Sequence, residues 1–208
     1  MNKFGLVVIG AHTGIWLQDL IKDYEGQKII LVEPVPHNLI QLKKNILGLN
    51  NITIDPIAVG AKSEIKKFFF IKKESIHKLK KHWASGIGSF SKEHIIAHKT
   101  KRFKVEEEDI ETIEIKSLSI KDFIKKYKIS HINTLQIDAE GTEYEILNSL
   151  DLERVKIKKI FFESKHFDGT FQEGKNLDII KKKLLKSNYT IKQIDNENIL
   201  AEKITISD

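Results

Sequence analysis

An apolar run that ends at two glycines constrains the fold of this chain more than any other stretch. Residues 4–9 are apolar, Gly10 and Gly14 follow, and a helical pattern starts directly after them. A continuous apolar run that ends in glycine is typical of a parallel strand buried on both faces and followed by a tight turn into a helix. The unpaired N–H groups at such a helix start can face a ligand that lies against bare backbone. We therefore expect a strand, a ligand-binding turn and a helix here.

The alternation of strands and helices continues along the chain. Further strands are predicted at residues 28–33, 52–57, 132–138 and 157–163, and helices at 14–26, from 36, at 119–127, after Thr142 and at 177–185. Residues 190–194 and 199–204 flank a run of Asp and Asn that is typical of a hairpin. The pattern predicts an α/β fold. We expect a Rossmann-like, doubly wound, mostly parallel sheet with a C-terminal antiparallel hairpin. One domain is expected to cover residues 1–208.

Residues 72–109, which we call the insertion, interrupt this rhythm between predicted strands at 66–73 and 110–116. Residues 72–104 contain ten Lys or Arg and only two acids, whereas the whole chain has a net charge of +6. A segment of this length is typical of a lid, a binding loop or disorder. It either keeps a loop soluble or covers the site and recruits an anionic acceptor. Trp83 and Phe90 could stack there on a sugar or base, or anchor the loop.

The composition excludes several classes of chemistry. The chain contains no cysteine, which excludes disulfides, thiolate metal sites and a cysteine nucleophile. No stretch of about 20 apolar residues is present, so no transmembrane helix is predicted. The first residues do not resemble a signal peptide, and together these features favour the cytoplasm. The oligomeric state is left open.

Ligands of a doubly wound sheet bind beyond the C-terminal ends of its strands. Small or acidic residues fall at these ends, and the candidate cofactor-binding residues are Gly10, Ala11, His12, Thr13, Gly14, Glu33, Pro34, Ala58 and Asp138. Glu33 lies 19 positions after Gly14, near the ~20-residue offset at which a carboxylate binds an adenosine ribose. The spacing lacks the middle glycine of the dinucleotide fingerprint, which argues against a pyrophosphate. S-adenosylmethionine carries the same adenosine without phosphate and fits this turn better.

These motifs resemble those of the FkbM-type methyltransferases. The matching residues are Ile9 to Gly14, Glu33-Pro34, Ala58-Val59-Gly60, Leu118 to Phe123 and, most specifically, Leu135 to Leu147, which contains Ile-Asp-Ala-Glu-Gly-Thr-Glu. The resemblance covers nearly the whole chain. It implies a Rossmann-like fold, S-adenosylmethionine as cofactor, and O-methylation of a hydroxyl on a sugar, glycan or natural product.

Methyl transfer to a hydroxyl requires alignment with the sulfonium, exclusion of water and a base within hydrogen-bond reach. The candidate catalytic residues at the strand ends are His166, Asp138, Glu140 and Glu163, and His166 has the most suitable unperturbed pKa. We predict no metal site, although Asp138 and Glu140 could alternatively hold a divalent cation. His94 and His98 have the spacing of ligands on one helix face, but without an accompanying third ligand they are interpreted as part of a solvated basic face.

Two alternative functions remain at this point. A basic insertion would also suit methylation of a ribose hydroxyl in a nucleic acid. The family pattern commonly has Asp at the position of Val8 and Asn at that of His12. Loss of the carboxylate at Val8 would suit a non-catalytic binding module.

Overall fold

The computed structural model describes residues 1–98, 103–168 and 171–204, and for His82 the backbone alone. The strands are β1 (Asn2–Ile9), β2 (Ile29–Val32), β3 (Ile52–Asp55), β4 (Ala58–Gly60), β5 (Glu64–Ile71), β6 (Gly88–Ser89), β7 (Ile110–Ser119), β8 (Ile129–Ile137), β9 (Lys156–Glu163), β10 (Tyr189–Gln193) and β11 (Asn198–Lys203). The α-helices are α1 (Gln18–Lys22), α2 (Pro36–Asn45), α3 (Lys73–Leu79), α4 (Lys92–Ala97), α5 (Ile120–Tyr127), α6 (Glu143–Ser149) and α7 (Gly174–Lys186).

Seven strands form the main sheet in the order β10-β11-β9-β8-β1-β2-β3. All neighbouring pairs are parallel except those that β11 makes with β9 and β10. This confirms the predicted doubly wound sheet with its C-terminal antiparallel hairpin. The chain proceeds outward from β1 through β2 to β3 and later from β8 through β9, so the strand order reverses between β1 and β8. A crevice at such a reversal is where ligands bind.

The first strand is buried on both faces, as its continuous apolar run predicts. Val7 and Ile9 pack in the cluster beneath α5, α6 and α7, whereas Leu6 and Val8 face the opposite layer with α2. Side chains alternate between the two faces of a strand, so every residue of the run meets a packed layer. Val8 is fully buried in that layer. A carboxylate at this position would therefore point away from the crevice.

A second sheet, in the order β4-β7-β5-β6, was only partly predicted. The strands predicted at 66–73 and 110–116 correspond to β5 and β7, which pair in the antiparallel direction. The predicted strand at 52–57 is wrong in its last two residues, because β3 ends at Asp55 and β4 leaves to join the second sheet beside β7. The change of sheet occurs around Pro56, which has no N–H to donate to a ladder.

The insertion is folded over its described residues, 72–98 and 103–109, and is not a long loop. It contains α3, β6, α4 and two short 3-10 turns. Its apolar residues form a separate cluster with the flanking Ile71 and Ile110: Leu79, Ala84, Ile87, Ile95, Phe103 and Val105. This cluster was hidden in the sequence, because lysines separate its apolar residues and the helices are too short to show a clear 3.6-residue period.

Two predicted helix starts differ in detail. The helix expected over residues 14–26 is a 3-10 turn at Ile15–Leu17 followed by the five-residue α1. Thr142 precedes α6 but does not cap it, since its hydroxyl donates to the Val59 carbonyl at 3.2 Å. Ser119 does cap α5 by accepting the Asp122 N–H at 3.2 Å, as predicted. In the described part of the chain no helix is long and apolar enough to cross a membrane.

Candidate functional site

The ends of β1 and β8 approach each other most closely at Gly10. The Asp138 N–H donates to the Ile9 carbonyl at 2.9 Å, and Gly10 has a φ of 89°. A Cβ on Gly10 would lie 1.6 Å from the Asp138 carbonyl oxygen. Only glycine can occupy this position, because a side chain would collide with the backbone of the neighbouring strand. The two strand ends therefore meet with bare backbone facing the crevice.

The turn from Gly10 to Gly14 is held by the end of β2. The N–H groups of Gly10 and Ala11 donate to the Val32 carbonyl at 3.0 and 2.9 Å. His12 has a left-handed φ of 51°, and its N–H donates to Glu33 Oε2 at 2.8 Å. This conformation directs the His12 ring toward the insertion, where its Nε2 lies 2.6 Å from Ser85 Oγ.

Glu33 is buried beneath the turn, with 4% of its surface exposed. Its Oε1 accepts from the Val35 N–H at 2.9 Å and from Asn38 Nδ2 at 3.3 Å, while Oε2 accepts from His12. Burial raises the pKa of Glu33 to about 7, although these three hydrogen bonds oppose the shift. A carboxylate has about four acceptor positions, so one remains for a ligand hydroxyl.

A cavity of about 1200 Å³ lies beyond the strand ends. Its wall includes His12 and Thr13 of the turn, Glu33, and the strand-end acids Asp138, Glu140 and Glu163. A smaller pocket adjoins it and is lined by Gly10, Glu33, Pro34, Ala58, Asp138 and several apolar side chains. Seven of the nine candidate cofactor-binding residues thus line these spaces. Ala11 is fully buried in the core, and Gly14 packs against Leu42 behind the turn.

The insertion forms the opposite wall of the cavity. Asn38 Nδ2 donates to the Ser85 carbonyl at 2.7 Å, and Ser89 Oγ donates to the Glu140 carbonyl at 3.0 Å. Trp83, Phe103 and His98 also line the cavity. The insertion therefore contacts both strand ends at which the main site residues lie.

Glu143 has a structural role that sequence reasoning missed. It is buried, and it accepts the Ala139 N–H at 2.7 Å and the Gly141 N–H at 2.9 Å. These bonds hold the turn after β8, in which Glu140 has a left-handed φ of 48°. From the sequence, Glu143 is expected only to complement the dipole of the helix after Thr142, as an acid of its first turn.

The interpretation of His94 and His98 as a solvated face is wrong. Both are buried, with exposures of 6% and 7%, and they meet Glu140 and His166 in one group, which we call the histidine cluster. Nε2 of His94 lies 3.5 Å and Nε2 of His98 lies 3.4 Å from Glu140 Oε2. The third partner was absent from the local sequence because it arrives from the turn after β8, 46 residues after His94.

The other predicted catalytic residues lie around this cluster. His166 is buried, and burial lowers its pKa to about 3. Burial alone would raise the pKa of Glu140, but hydrogen bonds to His94 and His98 hold it well below its usual range. Asp138 faces the open cavity, whereas Glu163 is buried and pairs with Lys165 at 2.6 Å. The surrounding protein and the neighbouring carboxylates raise the pKa of both acids. Asp138 and Glu140 do not converge on one metal position, since each falls in a different group of possible ligands.

Three solved structures resemble this chain over almost its whole length. They are the Streptococcus mutans protein SMU.1697c in complex with SAH (11% identity, 98% of this chain, 91% of that chain, TM-score 0.50), the Aeropyrum pernix fibrillarin in complex with S-adenosyl-L-methionine (12%, 96%, 66%, 0.46) and the Geobacter metallireducens precorrin-6y C5,15-methyltransferase (12%, 98%, 82%, 0.47).

No curated protein matches the sequence. The family model of the methyltransferase FkbM domain matches residues 9–191, which include the glycine turn, Glu33 and the whole histidine cluster. The protein is therefore a member of the FkbM methyltransferase family, which transfers methyl groups from S-adenosylmethionine.

Proposed function

We propose that this methyltransferase methylates a hydroxyl of an uncharged sugar, glycan or sugar-containing natural product. The observation that carries the proposal is the composition of the 1200 Å³ cavity, whose wall combines exposed aromatic rings with carboxylates. The apolar face of a sugar ring packs on aromatic side chains, and its hydroxyl groups donate hydrogen bonds to carboxylates.

The aromatic part of the wall lies at the mouth of the cavity. Trp16, Trp83 and Phe171 are 43%, 39% and 51% exposed and line it together with Phe103. Trp83 packs against Phe103 with ring centroids 4.6 Å apart. Large apolar side chains left this exposed around a cavity are typical of a ligand-binding site. Phe90 is less available, because it packs edge-on against Phe68 beside the smaller pocket.

The charge of the wall favours an uncharged acceptor over an anionic one. Among the described lining residues, five are acids: Glu33, Asp138, Glu140, Glu163 and Glu197. The one lysine among them, Lys165, already pairs with Glu163 at 2.6 Å and Glu197 at 3.2 Å. A phosphorylated acceptor would meet no unpaired lysine or arginine among the described residues of this wall.

The cofactor is assigned to the space beside the glycine turn. Glu33 would accept from a ribose hydroxyl, and the pocket lined by Pro34, Ala58 and Phe68 would hold the adenine. The Gly10 turn would hold the methionine part, and the bound cofactor would supply the methyl group to an acceptor in the large cavity. This placement leaves the aromatic mouth for the acceptor.

Asp138 is the candidate base best placed for the reaction. It is the exposed carboxylate at the reversal point, whereas Glu163 and His166 are buried and Glu140 is engaged by His94 and His98. The acceptor oxygen would attack the methyl carbon as the carbon–sulfur bond breaks. Its proton would pass to Asp138, and S-adenosylhomocysteine would leave.

The test joins calorimetry with a transfer assay. S-adenosylmethionine should bind, and labelled methyl should pass to neutral sugars or glycans in preference to sugar phosphates or RNA. Asp138→Asn should lower kcat by about 100-fold or more, as loss of a general base does. Asp178→Asn on the exposed surface of α7 is the matched control and should leave kcat unchanged. Transfer to RNA alone, or an Asp138→Asn variant with normal kcat, would contradict the proposal.

A further inference from the structure

We propose that His94, His98, Glu140 and His166 bind one zinc ion. This ion would link the insertion to the C-terminal ends of the strands of the main sheet. Two of these residues come from the insertion and two from the ends of β8 and β9. The proposal concerns a binding site and does not depend on which acceptor is methylated.

The spacing within the histidine cluster fits a tetrahedral ion. The Nε2 atoms of His94 and His98 are 3.2 Å apart, and the Glu140 Oε2 atom lies 3.5, 3.4 and 3.6 Å from Nε2 of His94, His98 and His166. The remaining ligand-atom separations are within 4.8 Å. Zinc–ligand bonds of 2.0–2.1 Å place tetrahedral ligands about 3.3–3.4 Å apart. An octahedral ion with bonds of this length would bring adjacent ligands closer, to about 3 Å.

The local backbone brings each ligand to this position. His94 lies in α4, and His98 is the C-cap residue that follows it. Because they are four residues apart, both side chains project from one side of the helix. Glu140 is presented by the turn that Glu143 holds, and Gly141 leaves room for the His94 ring, which a Cβ would meet at 3.3 Å. Residues of α4, its C-cap and the turn after β8 thus converge on one point.

His166 provides the second observation. Its side chain is 1% exposed, and its Nε2 has no hydrogen-bond partner among the described residues, although it faces Glu140 Oε2 at 3.6 Å. A buried polar atom without a partner costs free energy unless a ligand satisfies it. Its ring packs against that of His94 with centroids 4.5 Å apart. A cation between these rings would remove the cost.

The donor set selects the type of metal. Three imidazoles and one carboxylate suit zinc and neighbouring transition metals, whereas magnesium and calcium prefer oxygen ligands throughout. Four protein ligands make a closed site, which is typical of zinc that stabilises structure. The cavity still reaches His98 and Glu140, so the ion would lie in the wall beside the cofactor space.

Zinc binding also requires the ring proton of His166 to move. The Phe171 N–H donates to His166 Nδ1 at 3.3 Å, which places the ring proton on Nε2 in the metal-free protein. Coordination through Nε2 transfers that proton to Nδ1 and gives up this long hydrogen bond. Phe171 should therefore change its environment when zinc binds.

The experiment titrates zinc into the untagged, chelator-treated full chain without cofactor or acceptor. We expect one equivalent to bind, and cobalt(II) at the same site to show the intense visible absorption of tetrahedral coordination. The midpoint temperature of thermal unfolding should rise by about 5–10 °C when the free zinc concentration is 100 times the Kd. Because no methyl transfer is measured, failure here leaves the proposed reaction standing, and failure of the reaction leaves this result standing.

Variants identify the ligands. His98→Ala should weaken zinc binding by about 100-fold or more, since even residues behind the ligands cost 10–100-fold. Glu140→Gln keeps the side-chain shape and should weaken binding comparably, so a folding defect in one variant does not decide the outcome. His77→Ala, an exposed histidine of the insertion, is the matched control and should bind as the unaltered protein does. Equal affinity in all variants, no stoichiometric zinc, or preference for magnesium would overturn the proposal.

Discussion

The burial of Glu33 makes a quantitative prediction about stability. Its pKa of about 7 in the folded protein compares with 4.5 for an unperturbed glutamate, a difference that corresponds to about 3 kcal/mol. The folded protein holds the proton more tightly than the unfolded chain does. The contribution of Glu33 to the free energy of unfolding should therefore fall as pH rises from about 4.5 to about 7, and stay level above that.

Glu33→Gln isolates this contribution. The amide cannot ionise, but its NH2 group faces a backbone N–H of His12 or Val35 and loses a hydrogen bond worth about 1–3 kcal/mol. The variant should be less stable than the unaltered protein at pH 5. The difference in free energy of unfolding between the two proteins should shrink or reverse by pH 8, and it should change by about 3 kcal/mol in total. Urea unfolding at pH 5, 6, 7 and 8 measures the difference, and other titrating groups cancel because both proteins contain them.

The same variant tests the cofactor assignment. At pH 8, Glu33→Gln should bind S-adenosylmethionine about 10–100-fold more weakly, because a charged acceptor for a ribose hydroxyl is lost. The unaltered protein should lose about tenfold in affinity between pH 8 and pH 6, beyond any change that the variant shares. Glu25→Gln, at an exposed site, serves as control. A stability difference that does not vary with pH would refute the burial argument, and normal affinity in Glu33→Gln would refute the ribose contact.

Three further changes test other parts of the site. Gly10→Ala should lower the free energy of unfolding by at least about 3 kcal/mol, because the new Cβ would overlap a backbone oxygen. Gly26 has a similar φ but open space around it, so Gly26→Ala should lower the free energy of unfolding by only about 1 kcal/mol. Denaturant unfolding compares the two variants. Trp83→Ala should raise KM for the sugar acceptor severalfold with little change in S-adenosylmethionine affinity, and equal KM would exclude stacking there. Lys80→Gln should leave KM and its salt dependence unchanged, as should Lys78→Gln, because an uncharged acceptor needs no cation; a raised KM in Lys80→Gln would favour the anionic acceptor.

The main sheet was predictable because its signal is local. Residues 28–33 and 157–163 are apolar runs long enough to be buried strands, and the glycine turn fixes where the first one ends. The hairpin of β10 and β11 was visible from Asp195, whose carboxylate accepts the N–H groups of Glu197 and Asn198 at 2.8 Å. In each case residues close in sequence make the deciding contacts.

The histidine cluster was not predictable, because its members come from distant segments. The i, i+4 spacing of His94 and His98 was visible, but the same spacing occurs on any exposed polar helix. Burial distinguishes the two cases, and here it results from packing of α4 on β5, β6 and the turn that carries Glu140. The role of Glu143 in holding the turn that carries Glu140 also depends on tertiary structure, because it requires the Glu143 side chain to be buried against that turn.

The basic composition of the insertion also has a different meaning in the folded protein. The excess of lysine over residues 72–104 is followed at once by four acids, Glu106 to Asp109, and the whole insertion has a net charge of +4. Lys78 pairs with Glu108 and Asp109, Lys92 with Glu107, and Lys104 with Glu106. The pairs of Lys78 with Glu108, Lys92 with Glu107 and Lys104 with Glu106 are exposed and add little stability, which the buried apolar cluster of the insertion supplies instead. Lys78, Lys92 and Lys104 thus pair with a neighbouring acidic turn, while the wall of the cavity keeps its carboxylates, so the composition of the insertion does not by itself set the charge of the site.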